Sequence, residues 1–183
     1  MYVRSLALAE VLEIVPQKFE DERGFFSETY NEREINRIGL TLTFVQDNHS
    51  YSVHKGVLRG LHYQLPPKAQ DKLVRVVKGA ILDVAVDIRR SSVTFGQWVA
   101  LEVAADRWNQ IFIPKGFAHG FVTLTDHTEV IYKVSEYYSP EHDRSIRFDD
   151  PAIGIAWPSS IGELILSEKD RQAPPLSMAT VFE

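Results

Sequence analysis

The sequence predicts an all-β fold, a sandwich or barrel of the jelly-roll kind with an N-terminal arm and a few short helices. Three observations lead there. Between residues about 44 and 150, short runs rich in Val, Ile, Phe and Thr recur at near-regular spacing. Turn signals separate them: Lys78-Gly79, the stretch from Arg89 to Thr94, Ala105-Asp106, Pro114-Lys115-Gly116 and Asp126-His127. The chain has 183 residues, 44% hydrophobic and 25% charged, which suits one domain with a sizeable core rather than a disordered chain. No repeat or linker divides it, so residues 1–183 read as a single domain.

Taken in order, residues 1 to 45 form the arm. They hold a weakly alternating start, a charged turn (Glu20, Asp21, Glu22, Arg23, Gly24) and one helix. That helix opens at Asn31 with Glu34 in capping position, buries Ile35 and Ile38, and stops at Gly39. Adjacent Phe25 and Phe26 should face opposite ways on a strand, which puts one of them in the core. The barrel, 46 to 150, contains strands over 73–77, 80–88, 98–103, 110–113, 119–124 and 129–134. The clearest alternation is ILDVAVDIR, 81–89, with Asp83, Ala85 and Asp87 on one face and Val84, Val86 and Ile88 on the other. Residues 151–183 add loops and a short helix beginning near Ser167. His49, His54, His127 and His142 lie in polar or turn-like contexts and are expected at the surface.

Composition excludes several functions. With 20 Lys+Arg against 25 Asp+Glu the net charge is −5, which disfavours nonspecific nucleic-acid binding. Zero cysteines exclude disulfides, thiolate metal sites and a cysteine nucleophile, and fit a reducing compartment. Glu10 and Glu13 interrupt the apolar start, and no stretch is long and apolar enough for a membrane span. The expectation is a cytoplasmic protein that binds neither membrane nor nucleic acid.

The densest polar cluster is residues 46–64, with Gln46, Asn48, Arg59, His62 and Gln64, followed by Lys72. Strict alternation would separate Arg59 from His62, and a bulge at Gly60 would bring both to one cavity. The spacing resembles the cupin family: Gly56, five residues, His62, Tyr63, Gln64, then Lys72, six residues and Gly79, with Pro114, Gly116 and His119 as the second motif. The cupin metal ligands are mostly replaced. Gln64 stands for a histidine and Lys72 for a glutamate, leaving His62 and His119. An ammonium repels a divalent cation and two imidazoles rarely hold one, so no metal or other cofactor is expected. A histidine base beside a lysine suits proton abstraction next to a carbonyl, the lysine stabilising the enolate. Tyr132 is a candidate acid from the opposite side, and Asp83 could order His62 or a water. From position alone Tyr132 reads rather as a core or rim tyrosine, and Asp170, spaced as a capping box from Ser167, rather as a helix cap.

DERGFFSETY (21–30), FVQDNHSYS (44–52), GVLRGLHYQ (56–64), DVAVDIRRSSVTFGQW (83–98), FIPKGFAHGF (112–121), YYSPEHDRSIRFDDP (137–151) and LSEKD (166–170) resemble the deoxythymidine-diphosphate (dTDP) 4-dehydrorhamnose 3,5-epimerase family. The resemblance implies a cupin-type jelly roll that inverts the two carbons flanking the 4-ketone of a dTDP-linked 6-deoxyhexose without a metal. It makes His62 the base oriented by Asp170, Lys72 the enolate stabiliser and Tyr132 the acid. It gives the diphosphate to Arg59 and Arg23 and the base to Phe19 and Phe26. Gln46, Asn48 and Glu28 would contact sugar or nucleotide, with His119 lining the sugar pocket and Lys169 near the nucleotide end. Asp143 stands where the family usually has glutamate. The resemblance further implies a homodimer with exchanged N-terminal arms, so that Arg23, Phe26 and Glu28 complete the neighbour's site. A single-centre epimerase, a silent nucleotide-sugar-binding cupin and a metal-dependent cupin are the alternatives.

Overall fold

A computed structural model describes all 183 residues. The chain runs β1 (Tyr2–Ser5), β2 (Leu12–Val15), β3 (Phe19–Asp21), β4 (Gly24–Phe26), α1 (Glu32–Arg37), β5 (Gln46–Ser52), β6 (Leu58–Gln64) and β7 (Lys72–Lys78). It continues β8 (Ala80–Asp87), β9 (Trp98–Ala104), β10 (Gln110–Ile113), β11 (Phe117–Thr123), β12 (Thr128–Val134), β13 (Asp143–Ser145) and α2 (Glu168–Arg171). One sheet has the order β1-β2-β10-β7-β12-β5, and the facing sheet β13-β6-β11-β8-β9. The crossovers and antiparallel pairing are those of a jelly roll.

Period-two alternation explains why both sheets are covered on both faces. Between the sheets, Val74 and Val76 of β7, Ile111 and Ile113 of β10, and Val130 of β12 meet Ile81 and Ala85 of β8 and Val99, Leu101 and Val103 of β9. The opposite parity of β8, Val84 and Val86, packs with Leu61 and Tyr63 under the C-terminal segment carrying Ile153, Leu176 and Val181. Each such fully buried branched side chain contributes about 1.5–3 kcal/mol. On the outside of the six-stranded sheet, Ile35 of α1 closes over Ile14, Leu73 and Phe112. The Asn31 side chain caps α1 by accepting from Arg33 N–H, while Glu34 pairs with Arg37 instead of closing a capping box. Gly39, at φ +90°, ends the turn, and Ile38 is only partly buried.

The arm is shorter than the 45 residues expected. β1 and β2 form the edge of the six-stranded sheet because Ile14 has a core to enter. Only the β3–β4 hairpin stands off, and neither Phe25 nor Phe26 is core: Phe25 is 54% exposed and Phe26 67%. A two-stranded hairpin with no sheet behind it has no inward face, so alternation cannot bury either ring. Phe25 instead meets Trp108 edge-on, with ring centroids 4.6 Å apart.

Candidate active site

β6 and β11 pair out of simple register. His62 faces His119 and Arg59 faces Phe121, so Gly60 and Leu61 together oppose Gly120. This is the bulge that the spacing of Arg59 and His62 requires, and it turns both side chains into one cavity while Leu61 packs outward. Glycine is needed at both positions. Gly60 has φ +138°, and a Cβ there would lie 2.4 Å from the Gly120 Cα. The cavity is about 360 Å³, and Arg59, His62, Lys72, His119, Tyr132 and Asp170 line it.

His62 Nε2 lies 2.6 Å from Asp170 Oδ1. The other Asp170 oxygen accepts from Ser167 Oγ at 2.7 Å, and the Ser167 side chain caps α2 in return. One carboxylate thus holds both the histidine and the hydroxyl that caps α2, one oxygen for each. Burial pushes the Asp170 carboxyl up, but hydrogen bonds from His62, Ser167 and the Gly60 N–H together hold it below the usual carboxylate range. An ionised Asp170 can only accept. His62 therefore donates its Nε2–H to Asp170, and in the neutral ring the free lone pair is the one on Nδ1.

Lys72 and Tyr132 come from the opposite sheet, on β7 and β12, which puts them across the cavity from His62. Lys72 is 9% exposed and makes one long hydrogen bond, 3.4 Å to His62 O. Burial lowers its ammonium from 10.5 to about 8, against the attraction of Asp83 and Asp143. Burial raises the Tyr132 phenol above its ordinary value, against the pull of Arg59 and with a smaller push from Asp143, so it holds its proton at neutral pH. His119 is buried, which lowers its pKa and keeps the ring neutral, and its Nε2 lies 2.9 Å from Asp83 Oδ2. Asp83 does turn into the space between the sheets, but its partner is His119 and not His62: the β8–β11 register sets Asp83 opposite Phe121, next to His119 on the same face.

An adjoining cavity of about 190 Å³ shares His62, Lys72 and Tyr132 and is further lined by Gln46, Asn48, Asp143 and Lys169. Lys169 bonds the Asp143 carboxylate. Gln64, at the position of a cupin metal ligand, spends its amide on the backbone of Lys68, Tyr137 and Ser139. His62 and His119 each face their own carboxylate, and no three His, Asp or Glu side chains gather as a metal site. Ser50 and Tyr138 also line these cavities and were not foreseen. Ser50 shares the parity of Gln46 and Asn48 on β5, a usable signal; Tyr138 offered none beyond its aromatic neighbour.

Four proposed binding residues stand apart from these cavities. Arg23 folds back onto Asp21 in the exposed β3–β4 turn, with Nη2 2.5 Å from Oδ2. Phe19 pairs with Phe26 across the hairpin, so it travels with the arm. Phe19 and Glu28 line a different depression beside α1. Of the remaining histidines, His49, His54 and His127 are exposed as expected; His142 is half-buried because Ser139 Oγ holds its Nδ1 at 2.8 Å.

Known proteins fit this frame. The family model described as dTDP-4-dehydrorhamnose 3,5-epimerase matches residues 5–178. A dTDP-4-dehydrorhamnose 3,5-epimerase of Salmonella typhimurium is 52% identical, over all of both chains. The crystal structure of a dTDP-6-deoxy-D-glucose-3,5-epimerase from Legionella pneumophila, in complex with dTDP-4-keto-L-rhamnose, superposes with a TM-score of 0.92. It is 45% identical, over 97% of this chain and 93% of that one. A 3'-monoepimerase from Streptomyces bikiniensis, in complex with dTDP-quinovose, is 35% identical with a TM-score of 0.88, over 95% of this chain and 87% of that one. The chain belongs to the dTDP-4-dehydrorhamnose 3,5-epimerase family.

Proposed function

We propose that the protein is an isomerase that inverts C3 and C5 of dTDP-4-dehydro-6-deoxy-D-glucose, giving dTDP-4-dehydro-L-rhamnose. The observation that carries this reading is the placement of a base and an acid on opposite sheets of one cavity: His62–Asp170 on one side, Tyr132 on the other. A sugar lying between the sheets offers one face to each. His62 Nδ1 takes the proton from the carbon beside the ketone, and the C–H electron pair moves into the C–C bond as the carbonyl π pair moves to oxygen. Lys72 stabilises that enolate oxygen with its ammonium. Tyr132 then delivers its phenolic proton to the same carbon from the far face, and both groups re-equilibrate with solvent. A second cycle at the other flanking carbon completes the reaction. The substrate's own ketone acidifies both C–H bonds, so no cofactor is required.

In this reading His119 lines the sugar pocket, Arg59 holds the diphosphate, and Gln46, Asn48, Asp143 and Lys169 contact the sugar or nucleotide. Arg23, Phe26 and Glu28, together with Phe19, come from the exchanged arm of a second copy in a homodimer. Their distance from their own cavity and the exposure of the hairpin support that arrangement. No helix is long and apolar enough to cross a membrane, and the proposed site of action is the cytoplasm.

The test is direct. Chelator-treated protein is incubated with dTDP-4-dehydro-6-deoxy-D-glucose and the product examined by NMR. Inversion at both C3 and C5 is expected. Inversion at one carbon would support the single-centre alternative, and unchanged substrate would overturn the enzymatic reading.

A further inference from the structure

Lys72 is the only lysine or arginine among the buried residues. An ammonium removed from water keeps its proton only if a negative charge or several acceptors replace the lost hydration. Its single hydrogen bond, 3.4 Å to a backbone carbonyl, is too weak to do so. The buried carboxylates can be sorted by what already satisfies them. Asp87 is held by Arg89, Ser92 and Thr94. Asp170 is held by His62 and Ser167, and Asp71 by Ser135 and the Lys115 N–H. Asp150 accepts from the N–H groups of Ala152 and Leu176, and Glu13 from Arg4 and Asn109. Asp83 differs. It is fully buried, its one partner is the neutral His119, and its Oδ1 has no hydrogen-bond partner at all.

From this census we infer that Asp83 is a positioning residue for the epimerisation: it is the counter-charge that keeps Lys72 protonated, with His119 pinning the carboxylate beneath the sugar cavity. The inference rests on the proposed role of Lys72 in stabilising the enolate. Other groups around Lys72 supply less. Asp143 from β13 is bonded to Lys169 of α2, so the two charges offset one another at Lys72. Around the same cavity, His62 on β6 is tied to Asp170, and His119 on β11 and Tyr132 on β12 are neutral at pH 7. Lys72 and His119 line one cavity and Asp83 Oδ2 lies 2.9 Å from His119 Nε2, so the carboxylate with its unpartnered Oδ1 and the ammonium adjoin the same site without a direct hydrogen bond. Burial pushes the Asp83 carboxyl up and the Lys72 ammonium down, and the attraction between the two opposes both shifts.

Asp83→Asn keeps the shape and a hydrogen-bond acceptor for His119 and removes the charge. Lysine ¹³Cε NMR, with the Lys72 signal identified by its loss in Lys72→Met, reads the titration of Lys72 without substrate. In the variant its midpoint should fall by about one pH unit or more, the scale of a nearby opposite charge. In the kcat/KM profile the alkaline limb should move with it, a loss of about tenfold at pH 9 and almost none at pH 6. A Lys72 midpoint that stays in place overturns the proposal, whatever happens to activity. A midpoint that falls in the variant, while the parent itself shows no turnover, sustains the charge pairing and sinks the enzymatic reading alone. A uniform loss at every pH, with the midpoint unmoved, would mark Asp83 as structural only. Should Asp83→Asn not fold, Asp83→Ser carries the same expectations.

Discussion

Replacing Lys72 by methionine should make the protein more stable and nearly inactive. The side chain has about the right length and no charge, and the site is 9% exposed, so the change removes a buried ammonium without opening a cavity. The magnitude comes from the fall of the ammonium from 10.5 to about 8, caused chiefly by burial. At about 1.4 kcal/mol per pH unit, this corresponds to about 3 kcal/mol of folding free energy lost at neutral pH. The direction follows from proton uptake. Between about 8 and 10.5 the unfolded chain still holds the proton that the folded chain has released, so the parent gains stability as pH rises through that window. Below about 8 the penalty stands in full. Asp83 loses its counter-charge in the variant and takes back part of the gain, leaving about 1–3 kcal/mol, or about 3–10 °C in Tm for a chain of this size. Urea unfolding followed by circular dichroism at pH 7 and pH 10 reads both. The variant should be the more stable at pH 7, with the gap mostly closed at pH 10, and kcat should fall by about 10²–10³. A variant no more stable than the parent at pH 7, or a gap unchanged at pH 10, would refute the reasoning.

Gly60→Ala should destabilise by about 2 kcal/mol or more and spoil the site, because the added Cβ meets backbone at Gly120 and the residue sits at φ +138°; thermal melts and kcat measure it, and a neutral substitution would show the bulge to be dispensable. Asp87→Asn should cost about 2 kcal/mol at pH 7. Burial pushes that carboxyl up, but hydrogen bonds from Arg89, Ser92 and Thr94 hold it at about 2, so the contribution is full above 3.8 and disappears as pH falls through about 2; equal stability of variant and parent at pH 7 would contradict this. Arg23→Ala and His62→Ala, each defective alone, should recover about a quarter of parent activity when co-refolded, since half the dimers then carry one intact site. No recovery above the separate proteins would show that the arms do not cross.

Much of the barrel was legible because the strands are branched-residue runs with fixed parity. β8 is the clearest case: Val84 and Val86 fill one core, and Asp83 and Ala85 face the other side. The bulge could be inferred because Arg59 and His62, three residues apart, needed to reach one cavity. What failed depended on neighbours distant in sequence. Asp83 lies beside His119 rather than His62 because of the β8–β11 register, which no local pattern encodes. Phe25 and Phe26 were misread because alternation presumes a covered face, and the β3–β4 hairpin has none. Ile14 drew residues 1–15 into the sheet and shortened the arm. Asp170 lies 108 residues from His62, and its spacing from Ser167 alone favours a helix cap. Only the family resemblance favoured the histidine, and the carboxylate serves both.

The central claim is that base and acid address opposite faces of the sugar from opposite sheets, His62 on β6 and Tyr132 on β12. Tyr132→Phe in heavy water tests it most directly, with deuterium at C3 and C5 and the configuration at each carbon followed together by NMR. The account predicts that the variant still washes deuterium into unepimerised substrate, because His62 is intact, while inversion falls by about 10²-fold or more for want of the acid. Inversion of both centres at the parent rate would contradict it.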